Sequence, residues 1–325
     1  MLSNRRRFAA LTTAATLAGG AALVAAPSGL AHAARGQAQN LTRLSIVLFR
    51  GDVSGGNISL SGWGSGIAEA SKDVPPAVGS EEIRITTHGM YQGGRLDFKQ
   101  PVDLSQAFQN PQTYMRFQVR FTGADAVNTT AYNPFSLQTG RQAVSPFKQM
   151  RFLVIMADGS RYELVRPVEI PPSDDPDRWL TVAFPLAAIT KQAKGGATPT
   201  GDGAKIKQIA IFGDKYQRFY VGEINVIVDQ TDINVFPLED QVFFAQQPTV
   251  FTGNAEGGAS TLRYSWDFDA GDGIQEDAAG RSVVYVFPKS NAETGQKTYK
   301  VTLTVSDVDG IKKPVSTTLE AVVTD

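Results

Sequence analysis

Every second residue from Met115 to Phe121 is apolar: Met115, Phe117, Val119 and Phe121 alternate with Arg116, Gln118 and Arg120. Only an extended chain puts such a set on one side, because successive side chains of a strand point to opposite faces. The same period-two texture returns in Leu44–Phe49, Glu82–Thr86, Met150–Ile155, Arg161–Val165, Trp179–Phe184, Ile206–Phe212 and Phe219–Val228. Turn residues separate these runs, and Asp158-Gly159-Ser160 between two of them predicts a hairpin. Helical periodicity is confined to short turns near Ser105–Phe108 and Leu186–Lys194. Many short strands at this spacing predict an all-β protein built from β-sandwiches.

The first 33 residues do not share this texture. They hold no Asp or Glu, and Arg5, Arg6 and Arg7 precede an Ala-rich apolar run that ends before the small-residue exit Ala31-His32-Ala33. That layout predicts a cleaved export leader. Asn4-Arg5-Arg6-Arg7-Phe8 resembles the twin-arginine signal, which implies export of folded cargo. The competing reading, a retained membrane anchor, is opposed by Gly19, Gly20, Pro27 and Gly29 within the run. No second long apolar stretch follows, so no membrane span is expected after cleavage. The expected location is the periplasm, the cell surface or the medium.

Composition narrows the chemistry. With 31 Lys+Arg against 32 Asp+Glu, the net charge of −1 argues against nucleic acid as a partner. The 0 Cys exclude disulfides, thiolate metal sites and a cysteine nucleophile. Beyond the leader only His88 remains, so a multi-histidine zinc site is excluded.

Polar connector at residues 231–241 separates two expected domains, one over 40–230 and one over 242–325. In the second, Tyr264-Ser265-Trp266-Asp267-Phe268 followed by Gly271-Asp272-Gly273 resembles the signature of PKD domains. Val284–Phe287 and Tyr299–Asp307 with Gly310 are similar to that family's later strands. The resemblance implies an immunoglobulin-like sandwich used for extracellular spacing, adhesion or carrying a neighbour. Trp266 is expected between its sheets.

Here the chain departs from the family by inserting Asp269-Ala270. Asp267, Asp269, Asp272, Glu276 and Asp277 then fall within one short loop. Two readings compete. Closely spaced carboxylates suit a hard cation such as Ca2+. The alternative is an acidic turn whose side chains bond local backbone N–H groups.

The first domain resembles the galactose-binding-like jelly rolls of carbohydrate-binding modules. The stretches that carry this are Gly79–Ile85 leading to Tyr91–Phe98, Pro101–Ser105 before Met115–Phe121, Trp179–Leu186, and Ile206–Phe212 before Phe219–Ile224. The resemblance implies a Ca2+ site using an acid after the first Phe and one in the last strand. Arg50 occupies the first of these places, which leaves Asp52 as its substitute and Glu223 as the second acid.

Sugar recognition needs flat aromatic faces and polar groups that orient hydroxyls. Trp63, Tyr91, Tyr132 and Tyr216 are the candidates, set against packing on their own domain; Trp179 is assigned to the core. No Gly-x-Ser-x-Gly, His-Glu-x-x-His or phosphate loop is present. The leading expectation is an exported, non-catalytic protein. Its jelly roll recognises a glycan or another cell-surface partner, and its PKD-like domain spaces or docks it. A structural surface or matrix component assembling through protein contacts is the rival, and a polysaccharide-active enzyme the remoter one.

Overall fold

A computed structural model describes residues 41–121, 148–168, 178–289 and 295–325. The expected leader therefore lies outside the described residues. The first strands are β1 (Leu41–Phe49), β2 (Ile58–Trp63), β3 (Ile67–Ser71), β4 (Glu82–His88), β5 (Gly93–Asp103) and β6 (Thr113–Arg120). They are followed by β7 (Gln149–Met156), β8 (Arg161–Pro167), β9 (Leu180–Pro185), helix α1 (Leu186–Gln192), β10 (Lys205–Gly213) and β11 (Tyr216–Asp229). One sheet has the order β3–β4–β11–β6–β9, with β1 also paired to β11. The other has the order β2–β5–β10–β7–β8. The chain passes repeatedly from one sheet to the other, as in a jelly roll.

Alternation explains the packing. Met115, Phe117 and Val119 are fully buried while Arg116, Gln118 and Arg120 are not. Phe117 meets Phe152 of the facing sheet at 4.5 Å, and Phe152 meets Phe184 at 5.4 Å. Leu96, Ile209, Val154 and Leu164 complete the facing layer of this core. Asp158-Gly159-Ser160 turns β7 into β8 as expected, and Gly159 takes φ 89° there. Trp179 departs from expectation. It is only half-buried just before β9, with its ring laid on Gly222 and its indole N–H donating to Pro75 O at 3.3 Å.

A second set of strands follows: β12 (Asn234–Val235), β13 (Gln241–Phe244), β14 (Pro248–Thr252), β15 (Ala255–Glu256) and β16 (Leu262–Asp267). Then come β17 (Ala278–Ala279), β18 (Ser282–Val286), β19 (Gln296–Asp307) and β20 (Val315–Thr324). Five of them form a sheet in the order β13–β20–β19–β16–β17, in which β13 runs parallel to β20. β14 and β18 form a two-stranded sheet. Trp266 is fully buried in the core, stacked with Phe268, and its indole N–H donates to Gly280 O at 2.9 Å. Val301, Leu303 and Val305 of β19 point into this core. The molecule is thus all-β, with sheets packed as sandwiches.

The two cores are joined within one compact unit, Gln39–Asp325. Lys312 donates to Asp229 Oδ2 at 2.8 Å and to Gly257 O at 2.7 Å, and both charged side chains are buried. Arg166 holds Asp309 at 2.9 Å, Lys191 donates to Asp309 O at 3.0 Å, and Tyr114 meets Ser260 at 3.0 Å. Burial would raise the Asp229 carboxyl, but hydrogen bonds from Lys312, Ala259 and Thr231 outweigh it and hold the group low. Burial raises Asp309, with Arg166 pulling the other way. Removing one partner of such a buried pair typically costs about 3–5 kcal/mol, because the other charge is stranded. These pairs fix the second sandwich against the first. Among the described residues no helix is long and apolar enough to cross a membrane.

Candidate functional site

The outer face of the β2–β5–β10–β7–β8 sheet carries the site. Its core-facing rows are apolar, so the alternate residues point outward. One outward row runs Ser61, Arg95, Ala210, Leu153, Glu163 across the five strands. At the end of the next row Trp63 lies opposite Gly93, and Phe212 lies opposite Arg151. Phe212 is an outward residue yet only 1% exposed. Trp63 and Tyr91 roof it, each edge-on, at 6.1 Å and 5.8 Å between centroids.

Glycine lets the elements meet here. A Cβ on Gly66 would collide with the backbone of Gly93, so the β2–β3 turn can lie against the start of β5 only with glycine at that place. Tyr91 sits at the tip of the β4–β5 turn with φ 60°, a left-handed conformation costing a non-glycine residue about 1–2 kcal/mol. The turn around it closes through His88 N–H to Gln92 O at 3.0 Å. Tyr91 is thereby lifted over Phe212 and stays 47% exposed. Backbone strain concentrated at an exposed aromatic is a mark of functional sites.

Polar groups surround the two rings in fixed positions. The Arg95 guanidinium lies 5.9 Å from the centre of Trp63, and Arg151 lies 5.6 Å from the centre of Tyr91. Arg95 is bonded to Asp97 at 2.9 Å, and Asp97 also accepts from Gln208 at 2.5 Å. Arg151 is paired with Glu163, whose two oxygens accept from the Tyr91 hydroxyl at 3.1 Å. Gln192 at the end of α1 bonds both backbone groups of Glu163. The result is an aromatic patch bordered by oriented donors and acceptors.

Tyr216 lies round the end of the same sandwich. It stacks on His88 at 5.1 Å, and Ser65, next to the Trp63 turn, bonds both His88 and Gln92. Three of the four expected aromatics therefore gather at one end of the sandwich; Tyr132 lies outside the described residues. Sequence reading named Trp63 only as a candidate aromatic, and the structure makes it the last residue of β2. It also missed Phe212, Arg95, Asp97, Arg151, Glu163 and Gln208. The period-two alternation of β5, β7, β8 and β10 could have turned each of them outward on its own strand, but only the strand pairing joins them on one face.

The acidic candidates go elsewhere. Asp267 Oδ1 accepts from Asp269 N–H at 2.9 Å and Oδ2 from Gln275 N–H at 3.1 Å. Asp277 accepts from Phe268 N–H at 2.7 Å, and Asp272 from the Gln275 side chain at 3.0 Å. Asp269 pairs with Lys297 at 3.5 Å. Glu276 is held below the usual carboxylate range by its Ser265 hydrogen bond and by Arg263, 2.7 Å away. Asp52 accepts from Gly55 N–H at 2.7 Å, and Glu223 pairs with Arg116 at 2.9 Å. Among the described residues no three acidic or histidine side chains gather into a metal-ligating group.

The fold and this surface define a β-sandwich protein with an aromatic corner. No protein-family model matches the chain. No curated protein matches it either. Among solved structures, distant similarity extends to the xylan-binding module CBM15, 10% identical over 58% of this chain and 99% of that one, with a TM-score of 0.30. The CBM22-1 xylan-binding domain of Paenibacillus barcinonensis Xyn10C is 10% identical over 58% of this chain and 95% of its own, with a TM-score of 0.29. The glycoside hydrolase domain of Endo-D from Streptococcus pneumoniae R6 is 13% identical over 80% of this chain, with a TM-score of 0.26. The chain spans 36% of that domain's length.

Proposed function

We propose that the outer face around Trp63 and Tyr91 binds glycan without turning it over. The observation that carries this is the pair of rings seated on Phe212, with Tyr91 half-exposed and held at positive φ. Aromatic faces stack against the C–H faces of sugar rings. Hydroxyls need donors and acceptors in fixed positions, and Arg95–Asp97–Gln208 and Arg151–Glu163 supply them. Tyr216 and Ser65 extend the surface round the end of the sandwich.

In this reading the acidic-poor leader is removed on export, by the twin-arginine route, and the protein acts outside the cytoplasm. The second sandwich, PKD-like in its Tyr-Ser-Trp-Asp-Phe signature, spaces or docks the first. Its buried pairs with the first sandwich support a fixed presentation of the aromatic corner.

Affinity electrophoresis against a panel of soluble polysaccharides tests the reading. Retardation by at least one glycan is expected, and it should disappear in Trp63→Ala and Tyr91→Ala variants that keep the native circular dichroism. Retardation that survives both substitutions would overturn the site. Release of new reducing ends by the purified protein would overturn the absence of turnover.

A further inference from the structure

The two-stranded sheet β14–β18 has two free sides, and they differ. Gly253 N–H donates to Arg281 O at 2.8 Å at one end of the pair. In an antiparallel ladder, hydrogen-bonded and non-hydrogen-bonded pairs alternate. The register Phe251–Val283 and Thr249–Tyr285 therefore belongs to the bonded set. Ser282, Val284 and Val286 turn their N–H and C=O groups away from β14. Among the described residues no strand pairs with that side and no backbone bond reaches it. The short strand β17, nearby in sequence, pairs with β16 in the other sheet instead.

Exposed edges recruit other strands unless something blocks them. The outer side of β14 is blocked in the usual way, since Pro248 faces it and has no N–H to give. β18 carries no such device. Its sequence Ser-Val-Val-Tyr-Val holds no charge, no proline and no glycine. Val284 is 63% exposed and Val286 48%, and Val250 beside them is 67% exposed. Arg281, at the start of the edge, is drawn back to Asn254 at 2.6 Å.

We propose that β18 pairs with β18 of a second copy of this chain. The strand is complementary to itself. Laid antiparallel about a two-fold axis through Val284, Val284 meets Val284 of the partner subunit as a bonded pair, and Ser282 meets the partner subunit's Val286. Every edge-facing N–H and C=O of the three residues then has a partner. A neutral strand meets its own copy without like-charge repulsion. The product is one four-stranded sheet, β14–β18 from each protomer, joined by an isologous contact. One strand edge is smaller than a standard interface, so the dimer is weak and reversible. The contact lies on the second sandwich, and two aromatic corners would be carried by one particle.

Sedimentation velocity of the full chain across a concentration series tests the pairing. A reversible monomer–dimer equilibrium is expected. Val284→Lys, a substitution on an exposed side chain, should weaken it about tenfold or more by placing like charges on the axis. Because the chain has 0 Cys, register can be read separately. Val284→Cys should cross-link to itself on mild oxidation, while Ser282→Cys, four residues out of register with its own copy, should not. A monomer at millimolar concentration, a dimer indifferent to Val284→Lys, or equal cross-linking of both cysteine variants would overturn the proposal. The cross-linking comparison stands even if Val284→Lys fails to fold.

Discussion

The aromatic corner and the acidic loop look alike in sequence and differ in space. Each offers several ligand-type residues near a glycine. In the loop, five carboxylates lie within eleven residues, yet each is occupied by a backbone N–H, an amide or a basic side chain. In the corner, Trp63, Tyr91 and Phe212 are far apart in sequence, yet they share one contact. Crowding along the chain lets carboxylates fold back on their own loop, because an Asp reaches N–H groups two residues on. Convergence from different strands leaves side chains facing outward together.

This contrast can be broken at several points. The largest effect is expected from Asp267→Ala, which takes a buried carboxylate acceptor from two N–H groups. A donor orphaned in a buried place costs about 1–3 kcal/mol, while the N–H of exposed Gln275 can turn to water, so denaturant melts should show a loss of roughly 1–3 kcal/mol with glycan retardation unchanged. Trp63→Ala should do the reverse. It should abolish glycan retardation, a loss of about tenfold or more in affinity and near 1.4 kcal/mol or more by calorimetry, while the protein stays folded. A stability loss without a binding loss at Trp63 would reduce the corner to packing over Phe212.

Acidification should act on the loop and the sandwich junction. Glu276 and Asp229 sit below their ordinary values of 4.5 and 3.8. A carboxyl lowered by folding stabilises the fold above its ordinary value and loses that contribution as pH falls through its folded value. Tm should therefore decline below about pH 4, and Glu276→Gln should flatten part of the decline. Asp309, raised by burial, acts in the opposite sense and softens it.

A smaller effect separates strain from contact at Tyr91. Tyr91→Gly relieves about 1–2 kcal/mol of left-handed backbone cost while losing the ring's contacts. Thermal stability should stay within about 1 kcal/mol of the parent as glycan binding is lost. The smallest expected effect is that of calcium. With the loop carboxylates already bonded, millimolar Ca2+ or a chelator should leave Tm unmoved. A clear upward shift with Ca2+ would show that the loop rearranges around the ion and would undo the contrast.

The strands were legible because alternation is local. Met115–Phe121 declares its buried face without reference to any other strand, and the structure agrees residue by residue. Trp266 was legible as core for a related reason, since a large ring between alternating strands has nowhere else to go. Trp179 was not, because its burial depends on how closely Gly222 of a distant strand approaches it. The leader and Tyr132 lie outside the described residues, so they stand as the sequence presents them.

Period-two patterning in the chain determined that the protein is all-β and which side of most strands is buried. Tertiary structure decided which outward residues became neighbours, since strand order and register are set by pairings across more than a hundred residues, as between Arg95 and Ala210. It also decided that the carboxylates of one loop would bond their own backbone, and that Pro248 would guard one side of a two-stranded sheet while β18 was left uncovered. Side-chain alternation is a property of each strand alone, whereas register is a property of pairs, and only pairs make a surface.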